Sequence, residues 1–157
     1  MEDKFLKLIE EAIRLELNIA EIYMLFYRQF DQDAQFWWQL VIEEENHAAL
    51  LKTVMQMELT KIDTPRDLFP DKLGELENSN QEILKAFVKF ENQPDRVGAF
   101  QFAYRIENSA GELHFNKFMK NAPESRLTKI FKKLNGADFD HAERIKKYMA
   151  STNIPLE

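Results

Sequence analysis

The chain has 157 residues, a hydrophobic fraction of 45% and a formal charge of −6, which together fit one domain (1–157) whose core needs no covalent staple. The absence of cysteine excludes disulfides, thiolate metal ligation, iron–sulfur clusters and a cysteine nucleophile. Negative charge without a basic stripe argues against nucleic acid as a partner. No apolar run suits a signal peptide or a membrane span, so a cytoplasmic location without membrane contact is expected.

With only four glycines and five prolines in a chain rich in Leu, Glu, Lys, Ala and Phe, long helices are favoured and an all-α fold is expected. From Asp3 to about Phe30, apolar residues recur at spacings of three and four: Phe5, Ile9, Ala12, Ile19, Tyr23, Phe26 and Phe30. That is one face of a long amphipathic helix. The short Asp31–Asp33 link leads to a second helix reaching about Leu59, with a seam at Trp37, Leu40, Leu51 and Val54. So short a link makes the two helices antiparallel neighbours. A stretch containing Pro65, Pro70 and Gly74 follows, then a shorter helix from Glu75 to about Glu91 with Leu76, Ile83, Leu84, Phe87 and Phe90; together they read as a crossover carrying an accessory helix. A third long helix is expected from Pro94 to Lys120, aligned on Val97, Phe100, Tyr104 and Phe118, and closed by Asn121, Ala122 and Pro123. Pro123 suits the first turn of the fourth helix, which runs from Glu124 to about Ala150 with Leu127, Phe131, Leu134, Ile145 and Tyr148 aligned. The expected architecture is a four-helix bundle of two antiparallel hairpins joined by a long crossover.

Both hairpins carry the same anomaly. The first-helix seam passes through Glu16, the second through Glu44 and His47, the third through Glu107, and the fourth through Asp138 and His141. A carboxylate facing a core costs several kcal/mol unless it is paired or bound to a cation. Counting from the turns gives matching heights: Glu16 lies about 15 residues, or roughly 22 Å, before the first turn, and Glu44 and His47 about 11 to 14 after it. Glu107 lies about 15 residues before the turn near Ala122, and Asp138 and His141 about 16 to 19 after it. A carboxylate and a histidine three apart share a helix face and can bind one ion. Four carboxylates would neutralise two divalent cations, and this mixture of oxygen and nitrogen donors suits iron or manganese better than calcium.

The order of a lone Glu, Glu-x-x-His, a lone Glu and a carboxylate-x-x-His on four successive helices resembles the ferritin-like di-iron proteins. It is most similar to the erythrin domain of rubrerythrins: Tyr23 follows Glu16 by seven residues, Glu43, Glu44, Glu45, Asn46 and His47 resemble the second-helix motif, and Phe139 sits between Asp138 and His141 as in the fourth helix. The resemblance implies a ferritin-like fold and two iron ions as cofactor, with manganese possible. It also implies an oxidoreductase that reacts with peroxide or dioxygen, and a homodimer. Three positions depart from the family. No cysteine-rich iron module is present, so an external electron donor is expected; Ala110 stands where rubrerythrins carry a further carboxylate; and Asp138 replaces the usual Glu.

Among other polar residues, His114 is about 10 Å along the helix from Glu107 and reads as a hydrogen-bonded core histidine. Glu21 and Glu112 fall off the seams and read as solvated charges, as do Lys129, Lys132 and Lys133. Tyr23 and Tyr104 are candidates to hydrogen-bond ligating carboxylates. Trp37 and Trp38 read as space-filling. Three functions compete: a di-metal oxidoreductase; iron oxidation with storage or transfer, which would call for a large hollow assembly; and a metal-free interaction bundle.

Overall fold

A computed structural model of the chain describes residues 2–59, 73–113 and 124–157, and among these every regular element is helical. Helix α1 spans Glu2–Gln29; a single 3-10 turn, Asp31–Asp33, joins it to α2, Ala34–Leu59. Helix α3 is Leu73–Asn92, α4 is Arg96–Leu113 and α5 is Arg126–Ser151. Helix α1 packs chiefly on α2, α4 packs on α5, α3 lies along α1, and α2 meets α5. No helix among the described residues is long and apolar enough to cross a membrane.

Local chemistry fixes the helix ends. The fourth helix of the sequence reading begins at Arg126, two residues later than Glu124, because Ser125 and Thr128 form a capping box in which each side chain accepts the other's backbone N–H. Helix α4 likewise starts after Pro94, because the Asp95 carboxylate accepts the Gly98 N–H at 3.0 Å. A Cβ at position 98 would displace the Asp95 carboxylate from this capping position. At its far end α5 closes in a Schellman motif: Asn153 takes φ 56°, and Ile154 N–H donates to Met149 O at 2.8 Å. Pro65, Pro70, Phe118 and the Asn121–Pro123 turn lie outside the described residues.

The α1 and α2 seams point inward as their spacing requires, with Ile9, Ile19, Tyr23, Phe26, Trp37, Leu40, Leu51 and Val54 all buried. Helix α4 is rotated from the expected line. Val97 is 39% exposed and Tyr104 only half-buried, while the small Ala99 and Ala103 face the core beside Phe100. Leu84 on α3 is also exposed, and Trp38 is 44% exposed, lying against Tyr27 rather than filling the core. One polar residue on the α3 seam escaped the sequence reading. Asn80 is buried, donates to the Glu11 carbonyl at 3.1 Å and carboxylate at 2.9 Å, and accepts from Asn18 at 2.9 Å, which sets the height of α3 on α1.

Near the first turn, Tyr23, Phe26, Phe36, Trp37, Phe100 and Tyr148 make a continuous aromatic layer, with Trp37 at 4.4 Å from Phe100 and Phe36 stacked on Tyr148 at 4.2 Å. Buried Asp33 closes this layer. It takes a two-pronged contact from Arg96 at 2.7 and 2.8 Å and a hydrogen bond from the Tyr148 hydroxyl at 2.9 Å. The tip of the α1–α2 pair is thereby tied to α4 and α5.

Arg96→Ala would strand a buried carboxylate, whereas Asp33→Ala would leave a guanidinium that water can reach. Urea unfolding should therefore show a cost of about 3 kcal/mol for Arg96→Ala and a smaller one for Asp33→Ala. The reverse order would mean that the pair does not set the stability of this layer.

Candidate metal centre

Below the aromatic layer, Glu16 from α1, Glu44 and His47 from α2, Glu107 from α4, and Asp138 and His141 from α5 converge in the core, all buried. The His47 Nδ1 lies 3.1 Å from Glu44 Oε2, 3.3 Å from Glu16 Oε2 and 4.0 Å from Asp138 Oδ1. The His141 Nδ1 lies 2.8 Å from Glu44 Oε1 and 3.4 Å from Glu107 Oε2. Glu44 thus stands between two half-sites, turning one oxygen to each histidine. The two imidazoles face one another with centroids 5.3 Å apart and planes 17° from parallel.

Three side chains outside the six hold this arrangement. The Tyr23 hydroxyl donates to Glu107 Oε1 at 2.5 Å, leaving Oε2 to face His141. Glu43 places Oε2 2.8 Å from His141 Nε2, and Arg144 holds the same oxygen at 2.7 Å while reaching Asp140 at 3.1 Å. In the neutral ring, a proton on Nε2 shared with Glu43 would leave the lone pair on Nδ1, beside Glu44 and Glu107, the arrangement usual for ligating histidines. The role of Glu43 was not read from the sequence, because it depends on how α2 and α5 sit against each other. Tyr104 is placed differently from Tyr23: it lines an open depression between α3 and α4 with Glu82, Ala86 and Arg105. Phe139 is 71% exposed and Glu21 faces solvent. His114 and the side chains of Ala110 and Glu112 lie outside the described residues.

Electrostatics follow from burying so many acids together. Burial first, then the charges of Glu107 and Glu16, push the Glu44 carboxyl up to about 8, against the opposing pull of both histidines. Burial alone would lower His47, but contact with Glu16 and Glu44 outweighs it and raises the imidazole to about 10. The same competition, won by Glu107 and Glu44, raises His141 to about 11. Burial and the neighbouring carboxylates also hold the Tyr23 phenol well above its ordinary value. Without metal, the centre therefore retains protons.

The donor set could hold a metal ion as well as protons. Glu44 Oε1 and His141 Nδ1 are buried and close, yet they are not aligned as a hydrogen bond. Glu44, His47 and His141 each present one atom within 4.8 Å of the others, close enough to share an ion. Two divalent ions with neutral imidazoles would balance the four carboxylates, whereas two imidazolium charges and the proton on Glu44 leave one negative charge uncompensated. No family model, curated protein or solved structure matches the chain.

Metal binding should release protons, since bound imidazoles must be neutral and bound carboxylates ionised. At pH 7, calorimetry of Mn²⁺ binding in buffers of differing ionisation enthalpy should report about three protons released per saturated chain, one each from Glu44, His47 and His141. That number should fall as the pH passes about 8, where metal-free Glu44 loses its proton unaided, and again above about 10, where the histidines do. Proton-neutral binding at pH 7 would show that the ions bind elsewhere.

Proposed function

We propose that this protein is a ferritin-like di-metal carboxylate protein, closest in kind to the rubrerythrins, and that it reduces peroxide or dioxygen at a pair of iron ions. The observation that carries the reading is Glu44 set between two histidines, one oxygen to each, with a further carboxylate approaching each histidine. Glu16, Glu44, His47 and Asp138 would hold one ion, and Glu44, Glu107 and His141 the other. When bound, such ions supply two electrons to an oxygen substrate.

The chain's own residues prepare this chemistry. Tyr23 fixes Glu107, and Glu43 with Arg144 fixes His141, so the donor atoms need little rearrangement. The aromatic layer around Trp37 and Phe26 keeps water from the closed side of the site. Within this reading the α1–α2 and α4–α5 pairs are the two hairpins of a four-helix bundle, α3 is the crossover helix and the assembly is a homodimer. With no cysteine to carry electrons, reducing equivalents come from an external donor. A second reading, oxidation and transfer of iron, is favoured by the cleft beside His47 described below; a hollow multi-subunit shell in solution would support it, and a dimer would support the enzyme.

Protein purified with iron should contain about two ions per chain. Glu44→Ala should lose most of that metal and His47→Ala the ion on its own side, both with helical content preserved, and full occupancy in either would overturn the assignment. Reduced, iron-loaded protein should oxidise rapidly with hydrogen peroxide and then stall until a reductant is added. Sustained turnover on peroxide alone, other than disproportionation, would contradict the need for an outside donor.

A further inference from the structure

The two carboxylate-x-x-His segments superpose in sequence at an offset of 94 residues, matching Glu44 with Asp138 and His47 with His141. The same offset matches the residues around them. Glu43, Asp140 and Arg144, which brace His141 through its Nε2 edge, correspond to Ala137, Asn46 and Leu50 around His47. Every charged member of the brace is neutral in the other half. Among the described residues, the carboxylate contacts of His47 all run through Nδ1.

Where the brace is missing, the surface is open. A cleft of about 420 Å³ is lined by Asn46, His47, Ala49, Leu50, Thr53 and Lys133, with Glu43 at its edge. His47 is also the most exposed of the six converging residues, at 6%. Lys133 and Glu43 are the charged residues of the lining, and the Glu43 carboxylate is already held by Arg144.

We infer that the two half-sites hold their ions unequally: the His141 half retains its ion, and the His47 half exchanges its ion with solvent through this cleft. The inference rests on the di-metal reading and adds a direction of traffic to it. Loss of a carboxylate behind a ligating histidine costs roughly 10- to 100-fold in metal affinity. The half without one should be the weaker by a factor of that order.

Cobalt(II) provides the probe, because its visible absorption reports ligation without turnover. Protein loaded with cobalt and mixed with excess chelator should lose its ions in two phases separated by about tenfold or more. His47→Ala should remove the fast phase and leave the slow one. Glu43→Ala should speed the slow phase towards the fast one, and Ala137→Glu, which supplies the missing carboxylate, should slow the fast phase. A single release rate for both ions, or a fast phase that survives His47→Ala, would overturn the inference while leaving the di-metal reading intact. Failure to bind cobalt at all would overturn both.

Discussion

The organisation of this protein depends on one electrostatic constraint: four carboxylates share a water-poor core and require positive charge among them. Glu16, Glu44, Glu107 and Asp138 are each no more than 2% exposed. In such a place an uncompensated carboxylate costs far more than any surface ion pair returns. Protons are the compensation available without metal, which is why both histidines and Glu44 hold them well above their ordinary ranges. In the proposed reading divalent cations would satisfy the same constraint more completely, because they would also take up donor atoms such as Glu44 Oε1 and His141 Nδ1 that have no aligned protein partner.

Everything around the centre limits its freedom. The aromatic layer above it is locked by Asp33, Arg96 and Tyr148, and Asn80 fixes α3 against α1. Tyr23 joins the two regions, packing at 5.5 Å from Trp37 while its hydroxyl donates to Glu107. Helix heights are thereby set by contacts outside the site. The six donors are brought together by these contacts, and their mutual repulsion opposes folding when the metal-free protein loses its protons.

The inward faces of α1, α2 and α5 were legible because large apolar residues mark them at every turn, so a glutamate or histidine on the same line stands out. Helix α4 was less so. Its inward line carries the small Ala99 and Ala103, whereas Val97 and Tyr104, more conspicuous at a spacing of seven, face outward or half outward. Glu107 lay on both lines through Phe100 and so was found despite the error. Glu43 and Arg144 could not be read at all, since adjacent glutamates look alike until a neighbouring helix selects one. The same holds for Asp33 and Arg96, 63 positions apart, and for Asn80, whose partners lie on another helix. Local periodicity reveals which face is buried, but not what stands across from it.

The most direct test is the urea midpoint of chelator-treated protein against protein with saturating Mn²⁺, measured from pH 6 to pH 10. The raised values of Glu44, His47 and His141 mean that their protons stabilise the metal-free fold fully below the unfolded-state values, and that this contribution is lost as pH rises through about 8 for Glu44 and about 10 to 11 for the histidines. The account predicts that metal-free protein weakens across this range while Mn²⁺ raises the midpoint by an increasing margin. A midpoint indifferent to Mn²⁺ at every pH would contradict it, because the buried carboxylates would then be compensated by something other than a bound cation.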